Sequence, residues 1–186
     1  MTAFDSSGIE TFLDFWSQKP NSPEGKLTEA YNEALHDFDS RQTGLLRYIR
    51  PHKTSSKIRP VFSEGSEGLI AGFEEAEKHL EDVRADIKAY FVLTEGQPSM
   101  SGLNEKLFRA RRAITEASLD SRRALERALR ETNSSSMEEI EALPEVQPAM
   151  DKRDQTQRQL GPIVEDLQDR ISKIKAILGK YDIIVI

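Results

Sequence analysis

Three histidines are the whole imidazole supply of these 186 residues, and cysteine is absent. Thiolate zinc sites, disulfides and nucleophilic sulfur chemistry are thereby excluded, which leaves carboxylate-rich metal chemistry to look for. Glu33-Ala34-Leu35-His36 has the Glu-x-x-His spacing that sets a carboxylate and an imidazole one turn apart on a helix, as in di-iron bundles. Such a site needs the motif twice, and His79 has Ala76 where the second glutamate would stand. The apolar stripe Tyr31/Ala34/Phe38 also turns Glu33 outward. Glu33 and His36 are therefore expected on the surface, His52 beside Pro51 in a solvated loop, and no metal, cofactor or catalytic residue is assigned. Gly65-Ser66-Glu67-Gly68 with Gly72 lacks the Gly-Lys-Ser/Thr ending and the preceding strand of a phosphate cradle, so it reads as a helix start.

One charged pattern carries a functional expectation. From Leu45 to Ser63 the chain holds Arg47, Arg50, Lys53, Lys57 and Arg59 and no carboxylate, whereas 64–86 is dominated by glutamate and aspartate. Such cations can serve the carbonyl end of a helix, or they can contact anionic lipid headgroups.

The elements around this window follow from apolar spacing. Ser7 opens a short helix with Ile9, Phe12, Leu13 and Trp16 on one face, ending before Pro20. Ser22-Pro23 starts a long helix to about Arg50, with Leu27, Tyr31, Ala34, Phe38, Leu45 and Ile49 on its stripe and Pro51 as the stop. Residues 51–68 have loop composition, after which Leu69, Phe73, Ala76, Leu80, Val83, Ile87 and Tyr90 alternate steps of four and three. Gly96-Gln97-Pro98 breaks that helix, and Ser101 is expected to cap the next. There Leu103, Leu107, Ala110, Ile114, Ala117, Ser121, Ala124 and Ala128 continue the same spacing, with small residues in the middle, under an arginine-rich outer face that would complement the preceding acidic helix in an antiparallel hairpin. A polar connection over 132–159, with one or two short helical pieces, leads to a helix restarting at Pro162. Its stripe is Leu160, Val164, Leu167, Ile171, Ile174 and Leu178, with Gly179 as a left-handed cap. The β-branched tail 181–186 is expected either to pack or to continue into further chain.

These readings give an all-α fold, an antiparallel helical bundle of four to five main helices with a C-terminal brace-like amphipathic helix. Its parts are a bundle core at 1–131, the connection at 132–159, and a helix and tail at 160–186 packed on the same core. A hydrophobic share of 37% with 31% charged residues suits such helices, each with one apolar stripe and a wide solvated face. A net charge of -6 argues against nucleic acid as a partner, because phosphate binding needs a basic field. Met1–Trp16 carries Asp5, Glu10 and Asp14 and no basic segment, and no apolar run spans a bilayer, so a cytoplasmic location is expected and the sequon at Asn133 is read as loop.

In order, a short apolar helix, a long helix ending Leu45-Leu46-Arg47-Tyr48-Ile49-Arg50-Pro51, an extended loop, a helical hairpin and the amphipathic segment Ile163 to Tyr181 follow one another. This order resembles the four-helix bundle plus brace of mixed lineage kinase domain-like pseudokinases and the HeLo-type domains of fungal and plant cell-death proteins. The resemblance implies a non-enzymatic signalling bundle that, after activation and oligomerisation, engages anionic membranes from a peripheral position. Arg47, Arg50, Lys53, Lys57 and Arg59 would then make the lipid contact, and the 164–178 stripe would be the brace. The alternative is an interaction or scaffold module in which a heptad face or the tail docks a partner helix or an adjacent domain, with self-association open to it.

Overall fold

A computed structural model describes residues 13–49, 67–97, 99–131 and 136–183, the side chains at 47–49 excepted. Every regular element among them is a helix. Residues 13–17 are helical, followed by α1 (Pro23–Ile49), α2 (Glu67–Leu93), α3 (Ser101–Glu131), the short α4 (Met137–Glu141) and α5 (Gln147–Gly179). The all-α bundle with four long helices is thus as the spacing predicts. The chain divides into two compact units, residues 1–98 with 174–186, and residues 99–173.

In the first unit, α1 begins where Ser22-Pro23 places it. Ser22 Oγ accepts the Gly25 amide at 3.0 Å, satisfying a donor that has no partner within the helix, and Pro23 occupies the first turn, where its missing N–H is not needed. Gly25 is obligatory here, because a Cβ would lie 2.1 Å from the Lys19 carbonyl oxygen of the incoming turn. That turn delivers Trp16, which is 1% exposed, edge-on against Tyr90 at 5.4 Å and beside Phe91 at 6.1 Å. α1 and α2 run antiparallel: the Glu24 carboxylate meets the Tyr90 hydroxyl, Tyr31 meets Arg84, and Phe38 stacks on Phe73 at 5.2 Å. Leu27, Ala34, Leu80, Val83 and Ile87 fill the seam. The expected stripe fails at its first member, since Leu69 is exposed on the opening turn of α2. α2 closes with Glu95 (φ 57°) and Gly96 (φ 74°) left-handed, the Gly96 amide donating to Phe91 O at 2.9 Å and that of Glu95 to Val92 O at 3.2 Å.

In the second unit, α3 buries Leu103, Ala110, Ala117, Ser121 and Ala128 of its expected stripe and leaves Leu107, Ile114 and Ala124 half-buried. Its first turn is served by Ser99, whose Oγ accepts the Ser101 amide at 3.1 Å, and not by Ser101 itself. Ala128, Ile140, Val146 and Met150, with Leu125 and Leu143 against them, join the end of α3 to α4 and the start of α5. Lys152 reaches Asp120 at 3.1 Å on the same side.

The boundary expected near residue 160 does not exist as a break in the helix. α5 starts at Gln147 and passes through Pro162 without interruption. Pro148 sits in its first turn, where proline is harmless. Pro162 is exposed, and Gly161 before it has no Cβ for the ring to strike, which removes the Cβ part of the usual pre-proline clash. The connection is correspondingly short, reduced to 132–146 with α4 inside it. Gly179 is not the left-handed residue at the helix end; Asp182 is, with φ 54°. The Ile183 amide donates to Leu178 O at 3.1 Å and that of Asp182 to Gly179 O at 3.3 Å, and both Ile183 and Leu178 are buried.

Candidate functional site

The connection between α1 and α2 joins the ends of two antiparallel helices, so the residues flanking it share one end of the first unit. There Leu46 is 50% and Leu69 43% exposed, with Leu45 and Ile70 half-buried beneath them. The stripe logic that places Leu45 inward leaves Leu46 outward, one residue further round the helix. Of the five expected cations, Arg47 lies on the last turn of α1 with its side chain outside the described residues. Arg50, Lys53, Lys57 and Arg59 also lie outside the described residues, as do His52 and the capping box at Ser7.

The brace stripe is described in full. Leu167, Ile171, Ile174 and Leu178 are buried and Val164 is half-buried, with Ile177 joining them. Residues to 173 belong to the second unit, whereas Ile174, Ile177 and Leu178 belong to the first. Beyond the stripe, Lys180 Nζ lies 2.7 Å from Asp86 Oδ1, and the Tyr181 hydroxyl donates to Asp86 Oδ2 at 2.9 Å. Burial first, then the hydrogen bond and charge of Asp86, push the Tyr181 hydroxyl well above the usual tyrosine range. This clasp fixes the end of α5 on α2.

Glu33 and His36 stand exposed on α1, along an open groove shared with Ser17, Pro20, Thr28 and Glu29. His79 is exposed beside Asp37, Arg41 and Asp82 in a second, charged groove. No group of three or more metal-ligating side chains is assembled among the described residues, and no helix among them is long and apolar enough to cross a membrane. The Glu24–Tyr90 pair and the Asp86 clasp escape sequence reasoning, because their partners are 66 and 94–95 residues apart. The outward Phe108, 65% exposed, does leave a signal, since it stands off the buried spacing of its own helix.

No protein family, curated protein or solved structure matches the chain.

Proposed function

We propose that this chain is a non-enzymatic signalling bundle of HeLo-like type that contacts anionic membrane surfaces through the α1–α2 end of its first unit. The observation that carries this reading is the pair of exposed leucines, Leu46 and Leu69, at the two ends of a connection that holds five cations and no carboxylate up to Ser63, with Glu64 and Glu67 only at its α2 end. Each cation near an anionic leaflet contributes about 1 kcal/mol, and apolar side chains beside them enter the headgroup boundary, where charge alone would leave the protein loosely held. The net charge of -6 opposes approach, so contact requires this end to lead and weakens as salt screens it.

Flotation with phosphatidylserine vesicles tests the reading. The full chain is expected to float at low salt and to sink at high salt, and Leu46→Ser with Leu69→Ser is expected to lower the bound fraction severalfold. Replacing Arg47, Arg50, Lys53, Lys57 and Arg59 by glutamine should abolish binding. A chain that stays unbound at low salt, both as wild type and with Leu167→Asp and Ile171→Asp releasing the brace stripe, would remove the proposal.

A further inference from the structure

The side of α3 opposite its buried stripe carries a second regular spacing. Phe108, Arg112, Leu119, Glu126 and Leu129, with Thr115 and Arg122 between them, recur in steps of four and three residues, and all are exposed. At about 100° per residue, Phe108 and Leu119 point almost directly away from Ala110 and Ala117. Phe108 is 65%, Leu119 44% and Leu129 44% exposed, and a helix that turns three large apolar residues outward at seam spacing has a face suited to another helix.

What covers this face is indicated by its symmetry. Counted outward from Leu119, the stripe reads Thr115, Arg112 and Phe108 in one direction and Arg122, Glu126 and Leu129 in the other. We propose that α3 is the seam of a homodimer, two copies lying antiparallel with the two-fold axis at Leu119. That register sets Leu119 against Leu119 of the second copy on the axis, Arg112 against Glu126 seven residues to either side, and Phe108 within one residue of Leu129, so each off-axis contact occurs twice, as an isologous interface demands. The charged members are free to take these partners. Arg112 now bonds Glu116 at 2.7 Å and Glu126 bonds Arg122 at 2.9 Å, but these are well-exposed pairs along one helix that exchange at little cost. Eight cations against five carboxylates on α3 make the two helices repel along their flanks, which keeps the dimer weak and reversible. The membrane reading neither requires nor excludes this dimer.

The absence of cysteine makes the register directly measurable. Three full-length variants are oxidised mildly and resolved without reductant: Leu119→Cys, Phe108→Cys and Leu129→Cys. A disulfide needs Cα atoms within about 7 Å. In the antiparallel register Leu119→Cys therefore cross-links to itself. Phe108 lies 11 residues away, so two copies of Phe108→Cys stand roughly 33 Å apart and stay monomeric. A mixture of Phe108→Cys with Leu129→Cys gives the mixed dimer. Sedimentation of the wild type is expected to show concentration-dependent dimer, and Leu119→Asp, an exposed change that leaves helical circular dichroism intact, raises the dissociation constant more than tenfold. The proposal is overturned by a wild type that stays monomeric to roughly 0.1 mM, a concentration that populates even weak interfaces. It is equally overturned if all three single-cysteine variants cross-link to themselves alike, which indicates a parallel or random encounter, or if Leu119→Asp dimerises as well as wild type.

Discussion

Asp182 holds a backbone conformation that costs an ordinary L residue about 1–2 kcal/mol, and it does so because the Leu178 and Gly179 carbonyls at the end of α5 need the amides it positions. Asp182→Gly should therefore gain up to about 1 kcal/mol in urea denaturation, whereas Asp182→Val should lose about 1–2 kcal/mol. Its neighbour Tyr181 gives a pH signature. The folded-state hydroxyl is held above its ordinary value, so the unfolded chain loses its proton first; the stabilisation is complete below about pH 10 and declines as pH rises past it. Tyr181→Phe should cost about 1 kcal/mol at neutral pH through the lost bond to Asp86, and its urea midpoint should fall less than that of wild type between pH 9 and 11. A parallel fall in both proteins would assign the alkaline loss to other groups. Some of this scale is legible in the sequence: Ser22-Pro23 announces the start of α1 because the cap and its amide lie three residues apart. Asp182 is not, since a glycine three residues earlier offers the cheaper left-handed position and only the geometry of the helix end shows that it goes unused.

Among the elements, α5 is where local spacing and local breakers disagree. Pro162 removes the amide that would bond the Arg158 carbonyl, and a proline in a helix interior costs roughly 3 kcal/mol relative to alanine. Spacing wins because burial on both sides of the proline, from Met150 to Leu178, holds the helix together. Pro162→Ala should accordingly raise stability by about 1–3 kcal/mol, read from thermal or urea unfolding; a neutral effect would mean that residues near 160 are not helical in solution. The predicted boundary fell there because proline and glycine are adjacent, and in isolation that pair does punctuate chains. Periodicity was the better guide for α2, where Ala76, Leu80, Val83, Ile87 and Tyr90 are all buried. The short α4 was visible only as a piece of unspecified extent, because five residues around Ile140 carry no periodic signal. Ile140 is fully buried, and Ile140→Ala should cost about 2–5 kcal/mol.

For the whole molecule, the brace proposal concerns the order in which parts let go. Leu167 and Ile171 are buried, and each large aliphatic contributes about 1.5–3 kcal/mol, offset in part by ordering the chain. Leu167→Asp with Ile171→Asp should release the part of α5 beyond Pro162 first. Hydrogen exchange would then show protection lost over 163–178 while Leu69 to Tyr90 keeps theirs; uniform loss would make the helix part of one indivisible core. The all-helical architecture was legible because each long helix announces its own apolar stripe. The division into 1–98 with 174–186 and 99–173 was not, because it is decided by contacts between residues far apart in sequence.

The clasp of Asp86 with Lys180 and Tyr181 also says something about time. It joins residues 94 and 95 positions apart, so its closure sacrifices more chain entropy than pairing α1 with α2 across the connection 50–66. Contacts of that range are made late on the folding route. Weakening the clasp should consequently leave the rate of folding nearly unchanged and hasten unfolding, so that its place in the molecule is that of a last fastening and a first release.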